Sequence, residues 1–142
     1  MVGREATQLA LSPDGRWLAY TSEVSGRYEV FVMPFPGGGW TRPLSRGDGS
    51  EPRWARSGRE LFFKSGDRLM AVEVAPGSTF GTGNPRPLFS VAKYRSAKNR
   101  PQYDVTPDGR RFLMIRDVTN DTPAQTIYVE NWFAELLAKV KP

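Results

Sequence analysis

The sequence predicts an all-β chain built of β-propeller blades, and three observations carry that prediction. A pattern centred on a glycine turn occurs three times, at Leu11–Tyr20, Trp54–Phe63 and Val105–Met114. Its glycines, Gly15, Gly58 and Gly109, stand 43 and then 51 residues apart. A second marker, Arg42-Pro43-Leu44, returns 44 residues later as Arg86-Pro87-Leu88. The third observation is the content between the markers, which is strand-like and punctuated by 14 glycines and 12 prolines. A period near 44 with such contents fits four-stranded blades of roughly 40–45 residues each.

Each repeat divides into strands in the same order. The first strand is expected at Gln8–Ser12, Glu51–Ala55 and Gln102–Thr106, and the second at Trp17–Thr21, Glu60–Lys64 and Arg111–Arg116. The third is expected at Glu29–Met33, Leu69–Val74 and Thr126–Glu130, and the fourth, in two copies only, at Trp40–Leu44 and Arg86–Ser90. Blades therefore fall at about 8–44, 51–90 and 102–130. In the connecting turn, Pro13 presets φ, Asp14 bonds the backbone ahead of it and Gly15 accepts a positive φ. Pro107, Asp108 and Gly109 repeat that set, while the middle copy keeps only Gly58. The turn accounts for both aspartates better than a metal or catalytic pair does.

The second strands are apolar on both faces: Leu18, Ala19 and Tyr20; Leu61, Phe62 and Phe63; Phe112, Leu113 and Met114. A strand apolar on both sides is covered on both sides, as in blades packed face to face. After Glu130 the period changes. Asn131 suits an N-cap, and Trp132, Phe133, Leu136, Leu137 and Val140 follow at helical spacing, so a short C-terminal helix is expected at about 131–141, docked on a blade edge or the bottom of the ring.

Composition narrows the chemistry. The chain of 142 residues has no cysteine, which excludes disulfides, thiolate zinc sites and cysteine nucleophiles, and no histidine, which excludes Ser-His-Asp catalysis and histidine metal ligation. No cofactor or metal is expected. The 20 basic residues against 15 acidic ones give a net charge of +5, without a Lys/Arg run or nucleic-acid-binding motif, so no nucleic-acid partner is expected. No apolar run approaches the roughly 20 residues of a membrane span, and Met1–Glu5 lacks a signal-peptide core. The chain as written is expected in the cytoplasm, or outside it if it belongs to a larger anchored protein. Arg46-Gly47-Asp48 reads as an ordinary loop tripeptide, and Gly81–Asn84 lacks the third glycine and following helix of a dinucleotide site.

The segment Leu11–Ser22, followed by Glu29–Pro36, resembles the TolB-type WD40-like propeller repeat, and Gly49–Trp54, Gly58–Phe63 and Asn131–Leu136 extend the likeness. Together they resemble the C-terminal half of the six-bladed propeller found in bacterial multidomain proteins such as serine/threonine kinases. The resemblance implies a sensor or protein-interaction module, and it carries over no catalytic residue.

About three blades are present where closed propellers use roughly 4–8. Counting back from Gly15 by the spacing of Leu44 and Gly58 lands on Met1, where a fourth strand would end. Two expectations follow: a fragment of a larger propeller without independent activity, or a half-ring that a second copy completes as a homodimer through the blade faces. Repeat alignment places Gln8, Glu51 and Gln102 at one first-strand position, and Ala10, Arg53 and Asp104 two residues further on. The first strand lines the channel of a propeller, so Gln8, Glu51, Arg53, Gln102 and Asp104 are candidates for binding a protein, peptide or small polar ligand there. A channel with merely hydrated polar walls is the plainer reading. The longer loop Val91–Pro101, with Lys93, Tyr94, Arg95, Lys98 and Arg100, is either a binding loop or a solvated one. A non-catalytic binding module is the leading function, and a propeller-type hydrolase using channel carboxylates is the enzymatic alternative.

Overall fold

The computed structural model describes residues 5–24, 26–97 and 99–117, together with the backbone of 125–129. The C-terminal helix expected at 131–141 and Lys98 lie outside the described residues. Among the described residues, eleven strands form three antiparallel sheets. The first sheet orders β1 (Ala6–Leu11), β2 (Trp17–Val24), β3 (Arg27–Pro34) and β4 (Arg42–Pro43) in sequence. The second repeats that meander with β5 (Ser50–Trp54), β6 (Glu60–Ser65), β7 (Arg68–Glu73) and β8 (Arg86–Ser90). The third has three described strands, β9 (Tyr103–Val105), β10 (Phe112–Arg116) and β11 (Gln125–Val129). Among the described residues there is no helix, and the chain is all-β with propeller-like blades. The fourth strand of blade 1 is shorter than its sequence suggests. Gly37, Gly38 and Gly39 before it all take positive φ, and Pro43 lacks the N–H that would extend the ladder.

The three glycine turns fold alike. Gly15, Gly58 and Gly109 have φ of 72°, 70° and 70°, a left-handed conformation that disfavours side chains. Each donates its N–H to the carbonyl three residues back, Ser12 at 2.9 Å, Ala55 at 2.9 Å and Thr106 at 2.8 Å. Asp14 Oδ1 accepts the Arg16 N–H at 3.1 Å, and Asp108 Oδ1 accepts the Arg110 N–H at 3.0 Å. In the middle copy Ser57 Oγ takes that role for the Arg59 N–H at 3.2 Å. Hydrogen bonds from Ser12 and Thr106 first, and from the backbone second, hold the Asp14 and Asp108 carboxyls below the usual range. Both aspartates are turn residues.

Two apolar seams join the blades, and β6 feeds both because its side chains alternate. Leu61 and Phe63 pack toward blade 1, with Trp17, Ala19, Val30, Val32, Leu44, Trp54, Val72, Val74 and Phe80. Phe62 points the other way, into a seam with Leu69, Ala71, Leu88, Val91, Tyr103, Phe112 and Met114 of blades 2 and 3. Trp17 and Phe80 meet at 5.0 Å between ring centres, and Phe62 meets Phe112 edge-on at 5.0 Å. The seams bring the first strands together, β1 beside β5 and β5 beside β9.

Candidate functional site

The repeated Gln8, Glu51, Gln102 position lies in the seams between blades, and the inner cleft does not reach it. Gln8 and Gln102 are buried and Glu51 is wholly inaccessible. Gln8 and Glu51 share an unusual backbone, with φ of 54° and 57° in β-bulges where β1 slips against β2 and β5 against β6. A left-handed non-glycine residue costs on the order of 1–3 kcal/mol and persists only where its surroundings hold it. Here the side chain supplies the hold. Gln8 Oε1 accepts from Thr21 Oγ1 at 2.8 Å and from the Glu51 backbone N–H at 2.9 Å. One repeat later, Glu51 Oε2 accepts the Gln102 backbone N–H at 2.6 Å. The same repeat position thus hands a hydrogen bond from blade 1 to blade 2 and from blade 2 to blade 3.

Glu51 is the hub of this network. Its Oε1 accepts from Lys64 Nζ at 3.2 Å, Ser96 Oγ at 2.5 Å and the Ala97 N–H at 3.3 Å, and its backbone carbonyl accepts the Tyr103 hydroxyl at 2.8 Å. Lys64 Nζ also donates to the Arg95 carbonyl at 2.5 Å, and Gln8 Nε2 donates to the Ala97 carbonyl at 2.6 Å. Burial pulls the Lys64 ammonium below the usual lysine range, against the opposing pull of Glu51. The Val91–Pro101 loop is therefore neither a free binding loop nor a solvated one along its middle. Backbone groups of 95–97 bridge the seams, while Arg95 Nε reaches out to Asp117 Oδ1 at 2.6 Å.

Sequence reasoning missed Lys64, Thr21, Ser96 and Tyr103. One signal was present: Lys64 is a lone charge ending the apolar run Leu61-Phe62-Phe63. Lys64 also stands 13 residues after Glu51, as Thr21 stands 13 after Gln8.

Burial, and secondarily the Glu51 charge, raises the Tyr103 phenol well above its ordinary 10.0. Its folded value exceeds its unfolded one, so its contribution is complete below pH 10 and is lost as pH climbs toward the folded value. Lys64 acts oppositely, because its folded value lies below 10.5 and its contribution rises with pH in that range. Wild-type protein is expected to lose stability above pH 10, and Tyr103→Phe to flatten that loss. Denaturant titrations across alkaline pH, followed by phenolate absorbance, check this. Equal alkaline slopes in both proteins would contradict it.

The second repeat position behaves differently. Arg53 and Asp104, together with Ala10, line an inner-face cleft of about 410 Å³ whose walls include Leu9, Leu11, Trp54, Arg56 and Val105. Asp104 is exposed, and Leu9 is 62% accessible. Arg53 is half-buried, and its Nε is buried with no hydrogen-bond partner among the described residues. Trp54 Nε1 fixes one wall by donating to the Ala10 carbonyl at 2.9 Å. Of the five candidates, the fold thus gathers Arg53 and Asp104 in the cleft and commits Gln8, Glu51 and Gln102 to the seams. A larger cleft of about 610 Å³ lies at the turn end, where Glu60 is already paired with Arg86 at 3.0 Å. The inner cleft is the better candidate site, since all three repeats contribute to it.

No protein-family model matches the chain, and no curated protein sequence matches it. Solved structures do. TolB from Acinetobacter baumannii superposes with a TM-score of 0.59 at 16% identity, over 88% of this chain and 30% of that one. A TolB-like protein from Agrobacterium tumefaciens gives 0.65 at 15% identity, over 93% of this chain and 48% of its own. An oligogalacturonate lyase from Vibrio parahaemolyticus gives 0.59 at 13% identity, over 87% and 36%. The chain spans less than half the length of each of these structures. At such identities the likeness is one of architecture, and the chain has the fold of a TolB-type β-propeller segment.

Proposed function

We propose that the chain is a non-catalytic propeller module that binds a protein segment, a peptide or a small polar ligand at its inner face, as half of a six-bladed ring completed by a second copy. The observation that carries the binding reading is the Arg53 side chain in the cleft wall, whose buried Nε–H has no acceptor among the described residues. Buried donors in native proteins are nearly always satisfied, and a guanidinium takes planar, acceptor-bearing groups in preference. The exposed apolar surface of Leu9 beside it suits an apolar side chain of an extended segment. The non-catalytic reading is supported over a channel-carboxylate hydrolase by the state of Glu51, whose carboxylate is inaccessible and occupied by four donors. Asp104 is left as the one candidate carboxylate that solvent reaches.

Phage-displayed heptapeptides selected on the immobilised wild-type chain test this. Enrichment of peptides with a shared acceptor-bearing position is expected, and Arg53→Ala is expected to weaken the best of them about tenfold or more, the worth of one charged hydrogen bond. The selected peptides should be recovered uncleaved. Selection no better than background, or binding that Arg53→Ala leaves untouched, would defeat the reading.

A further inference from the structure

We propose that the second copy docks head to tail, blade 3 of one chain against blade 1 of the other, with the Gln102 carboxamide oxygen accepting the Gln8 backbone N–H across the contact. This inference rests on the half-ring reading above and assigns its surfaces and atoms.

The internal seams supply the template. Gln8 accepts the Glu51 N–H, and Glu51 accepts the Gln102 N–H, at 2.9 Å and 2.6 Å. Gln102 is next in the series. Its Nε2 donates to the neighbouring Pro101 carbonyl at 3.3 Å, whereas its oxygen accepts nothing among the described residues. The donor that Gln8 finds in Thr21 and Glu51 in Lys64, 13 residues on, is replaced for Gln102 by the apolar Ile115. That oxygen suits a donor from the following blade. The residue that would supply it must stand where Glu51 stands in blade 2. In blade 1 that residue is Gln8, which already has the same left-handed bulge, φ 54° against 57°.

The faces extend the argument. Aligned on the turn glycines, Leu11, Leu18 and Tyr20 of blade 1 correspond to Trp54, Leu61 and Phe63, the residues with which blade 2 packs on the blade before it. Of these, Leu11 is 48% accessible and Leu18 half-buried, whereas Tyr20 is already buried beside Phe31, so Leu11 and Leu18 are the apolar surface that blade 1 leaves for a preceding blade. Leu113 corresponds to Phe62, which meets Phe112 of the following blade edge-on. Leu113 is 41% accessible on the side of β10 opposite Phe112 and Met114. Since Leu18 corresponds to Phe112, the same superposition lays Leu113 of one copy on Leu18 of the other. Three blades repeated by such contacts close at six, with two equal contacts, and a face of about 800 Å² per side at each is the size of a stable interface.

A charge-pair complementation tests the arrangement. By light scattering the wild-type chain is expected at twice 15.9 kDa. Leu113→Asp and Leu18→Lys, each alone, should place a charge in both contacts and run as monomers. Mixed in equal amounts, they should recover a one-to-one dimer, because one contact is then wild type and the other pairs Asp with Lys. Circular dichroism confirms that each variant is folded. If Leu18→Lys fails to fold, Gln102→Ala takes its place and should raise the dimer Kd about tenfold, roughly one hydrogen bond at each of two contacts. A wild-type monomer would overturn the half-ring reading itself. A wild-type dimer indifferent to Leu113→Asp, or variants that stay monomeric on mixing, would overturn this inference and leave the peptide-binding reading standing. Recovery only with a different, longer blade-bearing chain would also overturn it.

Discussion

Glu51→Ala is expected to destabilise the chain by about 3–5 kcal/mol, the range found when one partner of a buried ion pair is removed. The alanine leaves a Lys64 ammonium with 3% side-chain accessibility and no counter-charge. It also strands the Gln102 and Ala97 N–H groups and the Ser96 hydroxyl, all of which the carboxylate now satisfies. Finally, it removes the side chain that holds residue 51 at a φ of 57°. Urea titration gives the magnitude. The pH dependence separates the causes: without Glu51 the folded Lys64 value falls further below 10.5, so Glu51→Ala should regain stability as pH rises from 7 toward 10. The double variant Glu51→Ala with Lys64→Met should recover the part due to the stranded charge and not the part due to the stranded amides. A loss below 1 kcal/mol would show that the hub is incidental to the fold.

The architecture was legible because its causes are local and repeated. A left-handed glycine after Pro-Asp needs only the four residues of its own turn, and the double-faced apolar run at Leu61–Phe63 announces a layer on either side. The site was legible in part. Of the five residues that the first-strand alignment named, Arg53 and Asp104 share a cleft and the other three lie in the seams. The alignment could not tell which way residues 8 and 51 face, because strand alternation assumes a regular pleat. The bulges break the register between Thr7 and Ala10 and between Ser50 and Arg53, and an extra residue sends a side chain to the other face. Nothing in the composition of Val91–Pro101 foretold that its backbone and the Ser96 hydroxyl, and not its charges, would reach into the seams. Loop carbonyls that bind Lys64 and Gln8 carry no residue signature.

Phe112→Ala carries the second large effect, and its interest lies in where the loss appears. The phenyl ring is fully buried and meets Phe62 at 5.0 Å, Phe89 at 5.5 Å and Tyr103 at 6.4 Å. It is the largest fully buried side chain that blade 3 contributes to the second seam. Truncating a buried phenylalanine costs about 3–5 kcal/mol through lost transfer energy and the cavity left behind. Stacked repeats share stability between each unit and its immediate neighbours. The first seam, with Trp17, Trp54, Phe63 and Phe80, contains no atom of Phe112. Hydrogen exchange in Phe112→Ala is therefore expected to lose protection at Tyr103–Val105 and Phe112–Arg116 while Trp17–Val24 and the β3 amides keep theirs. Loss spread evenly over all three sheets would show instead that the seams fold as one unit. In that event the hydrogen bonds running through Glu51 couple the blades more tightly than the apolar layers do. Comparing Phe112→Ala with Glu51→Ala by the same exchange measurement ranks the two, because Glu51 touches both seams and Phe112 only one.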